Sequence, residues 1–255
     1  MTHPRAPDPA QEFARLEGEA HVWLARPDEH LDPALLEGYH ALLSPEEHER
    51  ARRFVREPDR HHFLVAHALV RSALSRYAEV RPAAWEFEKG EHDKPEVSGP
   101  SGAPPLRFNL SHTSGLVACV ICTQIDCGID VECVGRVKDL AGVAKRVLSE
   151  GERRALFARE GPARDIRFTE YWTLKEAYAK ARGLGFQLPV RAVRFDFESS
   201  AEAPSISFGE DIDDRPEHWQ VALQPISDDH RLAVALRRGE GPDRELVLRE
   251  QWPRG

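Results

Sequence analysis

Leu148-Ser149-Glu150-Gly151-Glu152 has the Ser-x-x-Glu form of a capping box, in which a serine hydroxyl and a glutamate carboxylate satisfy backbone amides at the start of a helix. The same form stands 105 residues earlier, in Leu43-Ser44-Pro45-Glu46-Glu47. At that offset Phe63 meets Phe168 and Leu69 meets Leu174, inside two segments whose apolar residues recur at helical spacing. Each segment is followed by a short strand-like stretch, Ala84-Trp85-Glu86-Phe87 in one case and Ala192-Val193-Arg194-Phe195-Asp196-Phe197 in the other. Order and spacing predict an α+β fold of two similar halves related by a pseudo-twofold axis, divided as 1–126 and 127–255. Two halves that bury each other's faces also predict a monomer. Arg71 falls at the position of Glu176, so a cation in one half answers a carboxylate in the other and one active site is expected.

Outward from the repeat, residues 92–107 are rich in Pro, Gly and Ser and read as a loop. A turn at Thr113-Ser114-Gly115 leads into a strand at 116–123, a second strand lies near 128–133, and a hairpin is the natural reading. Residues 199–217 are acidic and polar, which predicts an exposed loop ahead of a final hairpin built from 219–223 and 232–236. Both ends, 1–9 and 239–255, are expected to be loosely held.

With 41% apolar and 31% charged residues among 255, the chain has an ordinary globular composition. A formal charge of −8 argues against a nucleic-acid surface, although local arginine clusters can still bind an anion. Residues 1–12 hold no apolar leader core, and the longest purely apolar run, 116–122, is only seven residues, so a cytoplasmic protein without a membrane span is expected. All four cysteines lie between positions 119 and 133, and Cys119-x2-Cys122 invites a zinc reading. An odd spacing within a strand sends these two thiols to opposite faces, which favours packing over zinc, and a reducing compartment removes the need for disulfides.

Asp130 and Glu132 flank Val131, and alternation places both on one face of a strand beside the small Gly128. A solvated edge strand would give the same pattern. As hard oxygen donors, however, the pair suits Mg2+, which is commonly held by a few carboxylates and substrate phosphates. Glu176 and Lys180 share a helix face at i, i+4, the spacing of an ordinary surface ion pair. Trp172, Leu174, Ala177 and Tyr178 make that helix apolar enough to be buried, where a metal for Glu176 and a phosphate for Lys180 would supply the partners that buried charge requires. His112, with Asn109 and Ser111, offers donors to an anion at a strand-turn junction. Lys94, Arg50, Arg52 and Arg53 read singly as solvated charge and, beside a magnesium site, as a polyphosphate grip.

Phe108-Asn109-Leu110-Ser111-His112, Gly128-Ile129-Asp130-Val131-Glu132 and Trp172-Thr173-Leu174-Lys175-Glu176-Ala177-Tyr178-Ala179-Lys180-Ala181-Arg182-Gly183 closely resemble, in order and spacing, the signature motifs of the Sfp-type 4'-phosphopantetheinyl transferases. A weaker similarity runs from Leu43 through Lys94-Pro95 to Phe197. The resemblance implies the same two-halved α+β fold, and transfer of the phosphopantetheine arm of coenzyme A to a serine of an apo acyl or peptidyl carrier protein, releasing 3',5'-ADP. It further implies that Asp130, Glu132 and Glu176 hold Mg2+ and that Glu176 takes the serine proton. Lys180 would neutralise charge on the pyrophosphate, Ser111 and His112 would contact the coenzyme A phosphates, and Lys94 would face the adenosine end. The chain departs from the family at Arg60-His61-His62, where many members carry an arginine beside the phenylalanine. It departs again at Glu47, where a basic residue often grips the nucleotide, which leaves Arg50 as the nearer candidate.

Two other functions share parts of this pattern. A metal-dependent nuclease also gathers carboxylates and a lysine around Mg2+, but it usually places acid-x-Lys on one strand, whereas Glu132 is followed by Cys133 and Val134. A non-catalytic coenzyme A or carrier-protein binding module would leave gaps among the acidic and basic positions, and every one is filled.

Overall fold

In the computed structural model, which describes residues 8–90, 94–197, 204–250 and 252, both predicted capping boxes are formed. The Ser44 hydroxyl accepts from the Glu47 amide while the Glu47 carboxylate accepts from the Ser44 amide, and Ser149 and Glu152 repeat the exchange. The chain divides into two compact units.

The first unit takes the residues up to Gly90, then Pro95–Gln124, and the chain from Arg244 onward. It contains α1 (Pro9–Arg15), β1 (Glu19–Ala25), α2 (Pro33–Leu42), α3 (Pro45–Arg52), α4 (Glu57–Leu74), β2 (Glu86–Lys89), β3 (Pro95–Gly99), β4 (Leu106–Thr113) and β5 (Leu116–Thr123). β4 and β5 make a tight hairpin in which Thr113 pairs with Leu116 around Ser114-Gly115, and Gly115 takes the positive φ of 78° that the turn needs. β5 pairs on its other side with β1, and β1 pairs in parallel with a C-terminal strand, Glu245–Arg249. α4 buries Val65, Leu69 and Val70 in a core with Trp23, Phe108 and Ile121.

The second unit takes Lys94 and residues 125–243. It contains β6 (Cys127–Cys133), α5 (Leu140–Val147), α6 (Glu150–Phe157), α7 (Gly161–Arg182), β7 (Val193–Asp196), β8 (Ser205–Phe208), β9 (Trp219–Pro225) and β10 (His230–Arg237). The order β6-β10-β9 makes a three-stranded sheet. α7 packs on it through Phe168, Leu174, Tyr178 and Ala181, in a core with Trp219, Ala233 and Ala235. The helix ends at Gly183, whose φ of 66° provides the left-handed cap.

The α+β class holds, and each unit runs through the same series: capping-box helix, long helix, 3-10 turn and two-stranded ribbon. The predicted boundary does not hold. The chain changes unit at Gln124, and its last strand returns to the first unit instead of belonging to a 127–255 half. The end expected to be loose is held by parallel pairing, and Trp252 stacks on Tyr39 with ring centroids 4.6 Å apart. At the other end, Asp8 caps α1, while residues 1–7 and 253–255 lie outside the described residues. Within the predicted loop 92–107, β3 forms because its one apolar pair, Val97 opposite Phe87, suffices for a ribbon against β2. Within the predicted loop 199–217, β8 places a buried Ile206 opposite Phe195, and residues 199–203 lie outside the described residues. The hairpin of 219–223 and 232–236 is present as β9–β10, while β6 pairs with β10 and not with β5. Cys119, Cys122, Cys127 and Cys133 are free thiols, the first three buried. No helix among the described residues is long and apolar enough to cross a membrane.

Candidate active site

β6 and α7 meet closely because Gly128 has no side chain. A Cβ there would lie 2.1 Å from the Ala177 carbonyl oxygen and 2.4 Å from the Ala181 amide nitrogen. Two residues along the strand, on the same face, Asp130 is buried against the helix, and the Lys180 ammonium donates to its Oδ1 at 2.7 Å. Glu176, one helical turn before Lys180, is half-buried. Its carboxyl is pushed above the ordinary carboxylate range, first by burial and then by the negative charge of Asp130, with Lys180 opposing and Glu132 adding to the rise. Glu132 lies opposite Arg231 across the strand pair and within 3.3 Å of Arg136.

Asp130, Glu132, Glu176 and Lys180 are thus brought into one neighbourhood, as the spacing predicted, with the Lys180 ammonium bonded to Asp130. Among the described residues no group of three or more His, Cys, Asp or Glu side chains is gathered closely enough to hold a metal ion by itself. The donor set nonetheless fits a hard divalent cation, since every donor is a carboxylate oxygen and the like-charge crowding on Glu176 is what such a cation relieves.

A second set of charges, not foreseen in the sequence, fixes α7. Lys175 is buried with Glu152, Nζ to Oε2 3.0 Å, and it also donates to the carbonyls of Val190 and Val193. Burial depresses the Lys175 pKa, and the Glu152 charge opposes that fall. Glu152 also completes its capping box and accepts from the Phe195 amide at 3.0 Å. One ion pair therefore joins α6, α7 and β7 directly beside Glu176. The available signal was a lysine on the apolar face of a predicted helix. Further along α7, Tyr178 and Arg182 both donate to Asp214.

The remaining predicted residues are placed as follows. Ser111 is buried and His112 exposed, on opposite faces of β4 in the first unit. Arg50 is exposed on α3 with its guanidinium 5.4 Å over the Phe63 ring. Arg52 and Arg53 are exposed as well. The Lys94 ammonium, predicted to face a nucleotide, donates to two backbone carbonyls, Cys127 and Ala181, at 3.1 Å each. Glu47, the departure from the family pattern, is a buried anchor that meets Arg71 and His67 at 2.8 Å each. Burial pushes its pKa up, but His67, the Ser44 amide and Arg71 together hold it down at about 2. His62 is depressed by burial and by the neighbouring His61.

Comparison with known proteins bears on this arrangement. Residues 126–235 match the family model of the 4'-phosphopantetheinyl transferase superfamily, and residues 32–124 match that of the N-terminal part of 4'-phosphopantetheinyl transferase. The chain is 32% identical to the 4'-phosphopantetheinyl transferase HetI of Nostoc sp., over 72% of this chain and 77% of that one. It is 29% identical to a putative 4'-phosphopantetheinyl transferase of Synechocystis sp., over 92% and 96%. With Sfp of Bacillus subtilis it shares 32% over 60% and 66%. Among solved structures, a holo-(acyl-carrier-protein) synthase from Bacillus anthracis in complex with CoA (3',5'-ADP) aligns with a TM-score of 0.37 and 22% identity, over 44% of this chain and 95% of that one.

Proposed function

The chain belongs to the 4'-phosphopantetheinyl transferase superfamily and is a transferase of that class, and we propose that Asp130, Glu132 and Glu176 hold Mg2+ in its reaction. In that reaction the 4'-phosphopantetheine group of coenzyme A passes to a serine hydroxyl of an apo acyl or peptidyl carrier protein. The serine oxygen bonds to phosphorus, the bond to 3',5'-ADP breaks, and the serine proton leaves. The observation that carries the reading is the Asp130–Lys180 pair at 2.7 Å where β6 and α7 touch, with Glu176 one helical turn before Lys180 and its carboxyl raised by burial, Asp130 and Glu132.

When bound, Mg2+ would neutralise the pyrophosphate and steady the leaving 3',5'-ADP. Glu176 is assigned as the proton acceptor because it lies half-buried on α7 one turn before Lys180, where the proposed metal and the serine hydroxyl would meet. Lys180 holds Asp130 at 2.7 Å and is placed to donate to a phosphate oxygen as charge grows there. Arg50, Ser111 and His112 are assigned to coenzyme A, the last two to its phosphates. Free thiols support a cytoplasmic setting.

The test is intact-mass spectrometry of several apo carrier proteins incubated with this protein and coenzyme A, with Mg2+ or with chelator. A gain of one phosphopantetheine only when metal is present is expected, and no gain on any carrier would overturn the proposal. Glu176→Gln is expected to lower kcat by about 10²–10⁴-fold without lowering thermal stability, because it removes one of three crowded charges. An active variant would remove Glu176 as the base.

A further inference from the structure

We propose that Lys94 is a positioning residue, whose ammonium ties the start of β6 to the last turn of α7 and thereby fixes the separation of Asp130 and Lys180. The proposal rests on the functional reading above, and it reassigns a side chain that the family resemblance turns toward the adenosine end of coenzyme A.

The contacts are specific. The half-buried Lys94 donates at 3.1 Å to the carbonyl of Cys127, the first residue of β6, and at 3.1 Å to the carbonyl of Ala181, in the last turn of α7. Carbonyls in a last helical turn lack an amide partner within the helix, and a cation there also meets the negative end of the helix dipole. The Gly183 amide turns back to Lys180, so the donor that serves the Ala181 oxygen is Lys94.

The same two backbones are those brought together at Gly128, the residue after Cys127, where an added Cβ would collide with Ala177 and Ala181. Glycine permits the close approach and Lys94 fastens it. Both catalytic groups sit next to the fastening. Lys180 directly precedes Ala181, and Asp130 is three strand residues beyond Cys127. An ammonium carries three donors, and two of those on Lys94 are already directed at backbone oxygens, so its role differs from that of a free phosphate clamp.

Lys94→Met keeps most of the apolar stem and removes the donors, while Lys94→Arg supplies a fork able to bridge two carbonyls. For Lys94→Met, affinity for 3',5'-ADP in metal-free buffer, measured by calorimetry, is expected to stay within about twofold of the wild type. At the same time kcat should fall by about tenfold or more, as small misplacements of reacting groups do, with KM for coenzyme A little changed. Amide exchange in β6 and the last turn of α7 should quicken, and Lys94→Arg should recover most of kcat. A tenfold or larger loss of 3',5'-ADP affinity, or exchange identical to the wild type, would overturn the assignment. Binding and exchange do not depend on turnover, so a wild-type protein inactive on every carrier would break the functional reading while leaving this test standing.

Discussion

Glu47 and Arg71 in the first unit meet at 2.8 Å, and Glu152 and Lys175 in the second meet at 3.0 Å. In each unit the carboxylate completes a capping box and the cation comes from the long helix that follows. Each cation also reaches backbone carbonyls near the following 3-10 turn: Pro82 and Trp85 for Arg71, Val190 and Val193 for Lys175. The matched ion pairs set Arg71 against Lys175, one residue away from the offset that the capping boxes suggest. Ser72, not Arg71, is therefore the counterpart of Glu176. The units share a buried anchor and differ in the residue beside it, a buried serine in one and a carboxylate among carboxylates in the other. The anchor keeps the helix in place, and the chemistry depends on the neighbouring position.

The largest effects should come from breaking the anchors. Lys175→Met leaves Glu152 buried without its cation and should cost about 3–5 kcal/mol in urea unfolding. Arg71→Met should cost less, because Glu47 keeps His67; equal or reversed costs would mean that His67 does not compensate for the lost cation.

Acid offers a milder probe. Glu47 has a folded pKa of about 2 against an ordinary 4.5, so its contribution is complete above pH 4.5 and disappears as pH falls toward 2. Burial raises Glu170 in the second unit, so protonating it favours the fold and the dependence has the opposite sign. The first unit should lose amide-exchange protection before the second between pH 5 and pH 2, and Glu47→Gln should flatten an acid limb of about 2 kcal/mol. Simultaneous opening of both units would remove this contrast.

Smaller still is a pair of identical substitutions with opposite signs. Gly128→Ala forces a methyl into backbone and should cost about 1–3 kcal/mol. Gly38→Ala, on α2 with nothing within 4 Å, should gain up to about 1 kcal/mol. Thermal melts of the two variants would check both.

What could be seen in the sequence was local. Capping boxes, the two-residue rhythm of Asp130 and Glu132, and the four-residue step from Glu176 to Lys180 are all set by the geometry of a single element, and each formed where expected. What escaped notice depended on partners far along the chain. The Lys94 ammonium bonds to a carbonyl 87 residues away, and nothing near position 94 distinguishes that role from a phosphate contact. Pro95–Gly99 looks like a loop until β2 is available to pair with it. Glu245–Arg249 is a strand only because β1 has an open edge.

That last strand also orders events during synthesis. β1, β4 and β5 have all been synthesised once Thr123 is added, yet the partner for the second edge of β1 is translated only after the whole of the second unit. At about 5–20 residues per second, the edge stays open for many seconds, exposed to any other extended chain nearby. A chain cut before Glu245 should keep it open for good and should form concentration-dependent oligomers in size-exclusion chromatography, with a strictly monomeric truncation arguing otherwise. The nascent protein thus has a vulnerable interval, which ends when its final strand arrives.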